Sequence, residues 1–485
     1  MTNRRQFVQS IPVLATLDLA GRLLLDGSSA HAQQPVASPG DMLARDTVER
    51  RAIEAIIWGM PAVNFDLMYQ AMVRETKARA NQMLYWSRLL DWKNQTLTPN
   101  TDVVYLTPYF DTRDVGPVVL EIPPADDGVI NGTIMDAWQM PLEDVGIVGV
   151  DAGKGGKYVV LPPGYAEKVP DGYIALPSLT YKGYALLRSI LKSGSAADLA
   201  KAVEYGRRIK IYPMSQAANP PPTTYVDAVD VLYDATIPYD VRFFESLDRI
   251  VQAEAWFQRD RAMIDTLRSI GIEKGKPFAP DAERRMVLNS AAAKAHAQLD
   301  AWFEAIFIPP WAAGSRWGFP ASPEFVKAVQ SHYAEPNVYP IDDRGVLFSF
   351  IFFTPKRLGE GQLWLMTHKD KGGAPFEGGR NYRLRVPPNV PIHQYWSATL
   401  YDRVTHALIR EVPRTGRSSQ SPGLQVNSDG SVDLYFGPKA PAGKESNWTP
   451  TRADRRFEVL FRFYGPLPPL LDKTWVLPDI EETRA

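Results

Sequence analysis

Apolar residues recur at helical spacing in two parts of the chain. The first part is residues 47–72, interrupted by Pro61, and the pattern predicts a further helical stretch to about Asp91. The second part covers residues 239–307. Because Asp281 precedes the later helix of this part, we expect its side chain to cap that helix by accepting a hydrogen bond from the first turn.

Short segments that alternate apolar and polar residues fill two other regions, each segment being bounded by Gly, Pro or Asp. This pattern is typical of strands joined by tight turns. The first region covers residues 101–165 and is followed by a strand-like stretch near 181–191. The second region begins near Val346 with VLFSFIFFT and continues through QLWLMTHK, NYRLRVP, QYWSATLYD, VDLYFG and FEVLFRFYG. In QYWSATLYD, period-two alternation places Ser397 and Thr399 on one face of the strand and Trp396 on the other.

The clearest linker is the stretch QAANPPPT at residues 216–223, since consecutive prolines fit neither a helix nor the interior of a sheet. We therefore expect an N-terminal β module with preceding helices at 47–215, a linker and helical segment at 216–330, and a C-terminal β-sandwich module at 331–480. The predicted fold class is mainly β with helical segments, with two β-sandwich domains joined by the linker and helical segment.

A faint internal repeat favours two related β modules. PVVLEIPPADDGVINGTIMDAWQM runs from a strand through two prolines and a loop to a strand near Trp138. YRLRVPPNVPIHQYWSATLYD has the same order and ends on a strand that holds Trp396. The repeat predicts that the two tryptophans occupy corresponding positions in the two sheets.

Composition and charge exclude several classes of protein. With 45% hydrophobic and 22% charged residues, the 485-residue chain has an ordinary globular composition. Its net charge of −1, from 54 basic and 55 acidic residues, lacks the positive excess that phosphate neutralisation requires, so we expect no nucleic-acid partner. The chain has no cysteine, which excludes disulfides, thiol nucleophiles and thiolate metal sites and suits an oxidising periplasm.

The N-terminal residues resemble a twin-arginine export signal. Arg4 and Arg5 precede an apolar segment, and Ala30-His31-Ala32 has the small-x-small pattern of a cleavage site. The sequence thus predicts a signal peptide at 1–32, cleavage after Ala32 and a periplasmic mature protein. No later segment offers about 20 uninterrupted apolar residues, so we expect no membrane span in the mature protein.

Several longer stretches carry a resemblance to a known family. They are TPNTDVVYL, GTIMDAWQM, YRLRVPPNVPIHQYWSATLYD and the C-terminal run from Asp429 to Trp475. These stretches resemble bacterial exported proteins that pair domain of unknown function 1254, at the N-terminus, with domain of unknown function 1214, at the C-terminus. The resemblance implies two jelly-roll-like β domains behind an export signal, and it implies no particular activity.

Polar residues at strand ends are the candidate site. Asn100 and Asp102 lie in a turn before an apolar run, and Asp136 lies near the end of another strand, so the two carboxylates are predicted to converge as a catalytic pair. Tyr105 and Trp138 are candidate walls for a ring-shaped substrate, with Asn100 as a further contact. The alternative is structural: Asn100 and Asp102 close a turn, Asp136 accepts backbone hydrogen bonds, and both aromatic residues are core.

In the second module, His393 is a candidate base or substrate contact. The five histidines of the mature chain show no metal-binding spacing, so no metal site is predicted, and no sequence motif indicates a cofactor. Two function classes remain. One is a periplasmic enzyme of hydrolase or lyase type that acts on a small organic or carbohydrate-like ligand. The other is a non-catalytic jelly-roll protein for binding or assembly in the cell envelope; a homo-oligomer is expected in either case, since edge strands need covering.

Overall fold

The structure is a computed structural model that describes residues 39–357 and 361–483. The chain divides into two compact units, Met1–Ala44 and Arg45–Ala485. The first unit is described only from Pro39, where a helix begins. The predicted signal peptide at 1–32 lies outside the described residues, so export remains a prediction.

The described residues form eight α-helices, which are α1 (Pro39–Ala71), α2 (Ala196–Gly206), α3 (Val241–Ala253), α4 (Met263–Ile270), α5 (Ala282–Ala305), α6 (Pro323–Gln330), α7 (Ile341–Phe350) and α8 (Pro468–Leu471). A π-helical turn at Met72–Thr76 follows α1. The Asp281 carboxylate accepts a hydrogen bond from the Arg284 N–H and caps α5, as predicted. In the part of the chain described, no helix combines the length and the apolar character needed to cross a membrane.

The strands of the N-terminal module form a β-sandwich. They are β1 (Gln82–Tyr85), β2 (Asn94–Gln95), β3 (Val103–Asp111), β4 (Val118–Ile122), β5 (Ile130–Asp136), β6 (Pro141–Val145), β7 (Gly156–Leu161), β8 (Tyr173–Pro177), β9 (Lys182–Ile190), β10 (Lys210–Pro213), β11 (Tyr225–Asp227) and β12 (Tyr233–Asp234). One sheet has the order β11-β1-β3-β9-β5-β6, the second has the order β10-β4-β7-β8, and β12 pairs with β2. Alternate residues of β3, such as Val104 and Leu106, pack against Leu120 and Val160 of the second sheet.

The other face of the six-stranded sheet packs against helices. Tyr105 and Tyr109 of β3 share a buried apolar cluster with Phe65 of α1 and Leu247 of α3. Thus one sheet is covered by strands on one side and by helices on the other.

The strands of the C-terminal module form a second sandwich. They are β13 (Gln362–Thr367), β14 (Asn381–Val386), β15 (Trp396–Asp402), β16 (Gly416–Ser418), β17 (Val432–Gly437), β18 (Trp448–Pro450), β19 (Phe457–Tyr464) and β20 (Glu481–Thr483). One sheet has the order β13-β19-β15-β16 and the other has the order β18-β17-β14-β20. Trp396 and Phe461 of the first sheet pack in one cluster with Leu384 and Leu434 of the second. The predicted fold class is therefore confirmed: the chain is mainly β, with two sandwiches and helical segments.

Two local predictions are wrong. The helical stretch expected to reach Asp91 does not form, because the chain leaves the helix at Lys77, which has the left-handed φ of 62°, and continues into β1. The strand predicted from Val346 is helix α7, which is buried over most of its length. An apolar run without polar alternation has the same pattern in a buried helix as in a buried strand.

The internal repeat is present in the strand topology of the two modules, but the two tryptophans do not occupy corresponding positions. In each module the strand before the double proline lies in one sheet and the strand after it lies in the other, β4 and β5 in the first module and β14 and β15 in the second. Trp138 follows the end of β5 and packs against Trp58 of α1, with ring centroids 4.5 Å apart. Trp396 begins β15 inside the sandwich core, so the predicted correspondence is wrong.

Candidate functional site

The turn before β3 is organised by the buried side chain of Asn100. Its Oδ1 accepts a hydrogen bond from the Asp102 N–H at 2.9 Å, which closes the turn locally. Its Nδ2 donates to the hydroxyls of Tyr395 at 3.0 Å and Tyr464 at 2.6 Å, and its own N–H donates to the Tyr105 hydroxyl at 2.9 Å. Since both amide hydrogens and the amide oxygen are engaged within the protein, Asn100 has an organising role rather than the predicted substrate contact.

The C-terminal sheet binds the backbone of the same turn. The Arg462 guanidinium of β19 donates to the Thr98 carbonyl at 2.7 Å, and the Tyr401 hydroxyl of β15 donates to the Pro99 carbonyl at 2.6 Å. Side chains of β15 alternate between two faces of the strand. The face that carries Trp396 packs in the sandwich core, and the face that carries Ser397 points away from the core, which explains why polar groups face the turn. The turn therefore joins the two modules.

Asp102 lies at a cavity of about 230 Å³ between the modules. Its Oδ2 is shielded from solvent and forms no hydrogen bond of normal geometry, although the hydroxyls of Ser418 and Ser397 lie beside it. Burial raises the pKa of the Asp102 carboxyl above its usual range, and Ser418, Arg462 and Ser397 offset this only in part. A carboxyl in this setting can keep a proton that an exposed one loses.

Residues from distant segments complete the cavity. The N-terminal module contributes Asp91 and Trp92, and the C-terminal module contributes Arg414, Arg417 and Ser418. Asp91 is exposed and accepts a hydrogen bond from a nearby backbone N–H. These residues were not predictable from the sequence because they lie on loops and on the short strand β16, whose proximity depends on how the two modules pack together.

The predicted convergence of Asp102 with Asp136 is wrong. Strands β3 and β5 both pair with β9, and they run parallel to each other on its two sides. Asp102 precedes Val103, which lies opposite Ile190 near one end of β9, whereas Asp136 lies opposite Gly183 near the other end. Seven residues of strand separate these positions by about 23 Å at ~3.3 Å per residue.

Asp136 stabilises the turn that follows β5. Its Oδ1 accepts hydrogen bonds from the backbone N–H groups of Trp138 at 2.8 Å and Met140 at 2.9 Å. Burial raises the pKa of the Asp136 carboxyl, and these two N–H groups oppose the change. Its contacts match the structural alternative for this residue, and it lines no part of the Asp102 cavity.

The remaining predicted site residues lie apart from that cavity. The Tyr105 ring is buried between the modules, and Trp138 is buried against Trp58 and Phe257. His393 is exposed, and its backbone N–H donates to the Gly465 carbonyl. Within residues 39–357 and 361–483, no three His, Asp or Glu side chains are grouped as metal ligands.

Comparisons with known proteins agree with this two-module architecture. Residues 80–213 match a family described as protein of unknown function DUF1254, and residues 361–468 match one described as protein of unknown function DUF1214. The chain therefore pairs a DUF1254 domain with a DUF1214 domain in the predicted order. No curated protein matches the sequence.

One solved structure supports this fold, and a second gives a weaker match. The VPA0106 protein from Vibrio parahaemolyticus is 16% identical with a TM-score of 0.54, and the match covers 90% of this chain and 100% of that one. An uncharacterised protein from Burkholderia cenocepacia is 12% identical with a TM-score of 0.41, over 91% of this chain and 95% of that one. The Vibrio protein supports the fold alone.

Proposed function

We propose that this protein is an exported enzyme of hydrolase or lyase type that acts on a small organic ligand bound between its DUF1254 and DUF1214 domains. The observation that carries the proposal is the Asp102 carboxyl, shielded from solvent at a cavity to which both domains contribute. Pockets with a few convergent polar groups and a carboxyl of perturbed pKa are typical of active sites.

The chemistry proposed for the cavity is general acid–base catalysis. The raised pKa of Asp102 favours its protonated form, which donates a proton to a leaving group. Asp91 takes the place of Asp136 as the second carboxylate, because it lines the same cavity and is exposed, whereas Asp102 is half-buried with its Oδ2 shielded from solvent. Two carboxyl groups in such different environments suit the separate roles of acid and base.

The lining supports a small hydroxylated ligand, such as a carbohydrate-like molecule. Trp92 offers an aromatic surface, Arg414 and Arg417 offer hydrogen-bond donors, and Ser418 offers a hydroxyl beside the acid. The twin-arginine pattern at Arg4 and Arg5 supports a periplasmic location for this activity.

A screen of small sugars, esters and organic acids tests the proposal. Compounds that raise the unfolding temperature are incubated with the protein, and products are followed by mass spectrometry. We expect turnover by the wild-type protein that falls about 100-fold or more in Asp102→Asn, the size typical of a lost general acid, and also falls in Asp91→Asn. Asp126→Asn, an exposed control, should retain activity.

Two results count against this enzyme. Turnover that Asp102→Asn leaves unchanged removes Asp102 from the chemistry. Compounds that bind the wild-type protein at the cavity without any conversion favour the alternative of a non-catalytic binding protein of the cell envelope.

A further inference from the structure

A buried arginine in the N-terminal module lies apart from the Asp102 cavity. Arg188 of β9 is 5% exposed and lies opposite Tyr105 of β3 in the sheet. Its guanidinium carbon is 4.4 Å from the ring centre of Phe353 and 5.6 Å from that of Tyr105. Its Nε has no hydrogen-bond partner among the described residues.

Among the described residues, no carboxylate pairs with this guanidinium. Over residues 39–357 and 361–483, Arg188 forms no ion pair, and its neighbours are the phenols Tyr105 and Tyr464 and a second buried cation, Arg462. The Arg462 side chain donates hydrogen bonds only to neutral oxygens, such as the Thr98 carbonyl, and its carboxyl neighbour Asp102 has a raised pKa that favours the neutral form. A buried cation is costly unless an anion pairs with it, so this region favours an added negative charge.

A cavity with about 30 Å³ of room for water-sized molecules lies beside Arg188. Its lining includes the Tyr464 hydroxyl and the side-chain amides of Asn131 and Gln362, which are neutral hydrogen-bonding groups. One water molecule needs roughly 10–15 Å³ of such space, so the cavity holds about two. A halide ion or a one-carbon carboxylate such as formate is of this size.

One carboxylate, that of Asp144, also lines the cavity, and its oxygens are already engaged. They accept hydrogen bonds from the Thr133 hydroxyl at 2.7 Å and from the backbone N–H groups of Lys356 at 2.9 Å and Arg357 at 2.7 Å. In addition, the Arg357 guanidinium lies 3.6 Å from the Asp144 carboxylate. The two cations Lys356 and Arg357 thus balance the two carboxylates Glu143 and Asp144, and the charge of Arg188 remains.

We propose that Arg188, in the cavity that it shares with Tyr464, is a binding site for a small monoanion between the two domains. The guanidinium supplies the charge and N–H donors, and the two flanking aromatic rings hold its plane in place. The shared chemistry is a single negative charge on a compact group, either a halide or a one-carbon carboxylate such as formate. This site does not depend on the enzyme proposed above, since Asp102 lines the other cavity.

Thermal unfolding at constant ionic strength tests the site in solution. Sodium gluconate, whose anion is too large for the cavity, is replaced stepwise by chloride in one series and by formate in another. We expect a saturable rise in the unfolding temperature of the wild-type protein. The anion that raises it at the lower concentration shows whether the site prefers a halide or a carboxylate. The half-saturating concentration should increase at least tenfold in Arg188→Met and remain unchanged in the exposed control Arg385→Met.

A structural role for Arg188 gives a different result. If the guanidinium only fills space, Arg188→Met loses stability equally in gluconate and in chloride. If it is an anion site, Arg188→Met is at least as stable as the wild-type protein in gluconate, because a buried unpaired charge has been removed. Should the methionine variant fail to fold, the anion titrations of Arg188→Lys and of the wild-type protein still test whether the guanidinium binds an anion.

Diffraction from crystals soaked in sodium bromide locates the ion. We expect an anomalous peak in contact with the Arg188 guanidinium. Unfolding temperatures that are equal in all three anions, or bromide peaks at other sites and none at Arg188, would overturn the proposal.

Discussion

The side-chain amide of Asn100 donates a 2.6 Å hydrogen bond to the hydroxyl of Tyr464, and this bond joins the turn before β3 to the last residue of β19. It links the DUF1254 domain to the DUF1214 domain within a buried cluster that also contains Tyr395 and Tyr401. The conformation of Asp102 depends on this junction, because its N–H donates to the same Asn100 side chain.

Asn100→Ala is expected to destabilise the protein by about 1–3 kcal/mol, since it removes the buried hydrogen bonds of the Asn100 side chain to the Tyr395 and Tyr464 hydroxyls and to the Asp102 N–H. Urea unfolding measures the change. Asn427→Ala is the control, because Asn427 also bonds within a turn but lies nearer the surface. Equal losses of unfolding free energy in Asn100→Ala and Asn427→Ala would contradict a special role for the junction between the domains.

Asp102→Asn is expected to keep the fold and to become more stable relative to the wild-type protein as pH rises from about 4 to 8. Burial raises the pKa of Asp102 in the folded state above the value of about 3.9 for an unfolded Asp. The folded protein therefore binds the proton more tightly, and stability is lost as the carboxyl ionises with rising pH. Unfolding free energies at several pH values measure the difference between the two proteins.

Asp429→Asn is a control of opposite sign. Hydrogen bonds from Ser431 and the nearby Arg385 lower the pKa of Asp429 to about 2, so its stabilising effect is present above the unfolded pKa and lost as pH falls. We expect this variant to be less stable than the wild-type protein at neutral pH and to approach it near pH 2. For Asp102→Asn, a difference in unfolding free energy from the wild-type protein that stays constant with pH would contradict the burial of an ionisable carboxyl at Asp102.

His368 is expected to make the protein sensitive to acid. Burial, with the charges of Lys369 and Arg403, lowers the pKa of its imidazole to about 4. Since the unfolded pKa is about 6.5, stability is lost as pH falls from 6.5 towards 4, by roughly 3 kcal/mol at most. His368→Phe, which keeps an aromatic ring against Phe303 and Phe307, should flatten this profile in calorimetric unfolding experiments.

The matched control is His393→Phe, because His393 is exposed. This variant should retain the acid sensitivity of the wild-type protein. The assignment to His368 fails if His368→Phe shows the same loss of stability between pH 6.5 and 4 as the wild-type protein.

Replacing Arg4 and Arg5 with Lys is expected to retain the protein in the cytoplasm, since the twin-arginine route reads that pair. Cell fractionation of the variant and the wild-type protein measures the distribution. N-terminal sequencing of the exported protein should show cleavage after Ala32. Export of the double variant at the wild-type level would reject this route.

The fold class was predictable from the sequence because strand periodicity and turn residues are local signals. The alternation in QYWSATLYD places Trp396 in the core and Ser397 on the opposite face, as the structure has it. Helix α7 was not predictable, because the buried run from Val346 to Phe350 has apolar residues on every side. Whether this segment forms a helix or a strand depends on its packing against α5 and α6.

The candidate site was predictable only in part. The Asn100 turn has a local signal, since Asn accepts a backbone hydrogen bond two residues ahead. The relation between Asp102 and Asp136 has no local signal, because it depends on β9 lying between β3 and β5. Asp91 and Arg417 reach the same cavity only when the two domains pack together.

The claim that Asp102 marks the ligand site is tested most directly by calorimetric titration of Asp102→Asn and Asp136→Asn with a compound that binds the wild-type protein. Both variants exchange a carboxyl with an oxygen shielded from solvent for the matching amide, but only Asp102 lines the cavity between the domains. We predict that affinity falls more than tenfold, or about 1.4 kcal/mol, in Asp102→Asn and stays within twofold of wild type in Asp136→Asn. Unchanged affinity in Asp102→Asn, with or without a loss in Asp136→Asn, would contradict the account.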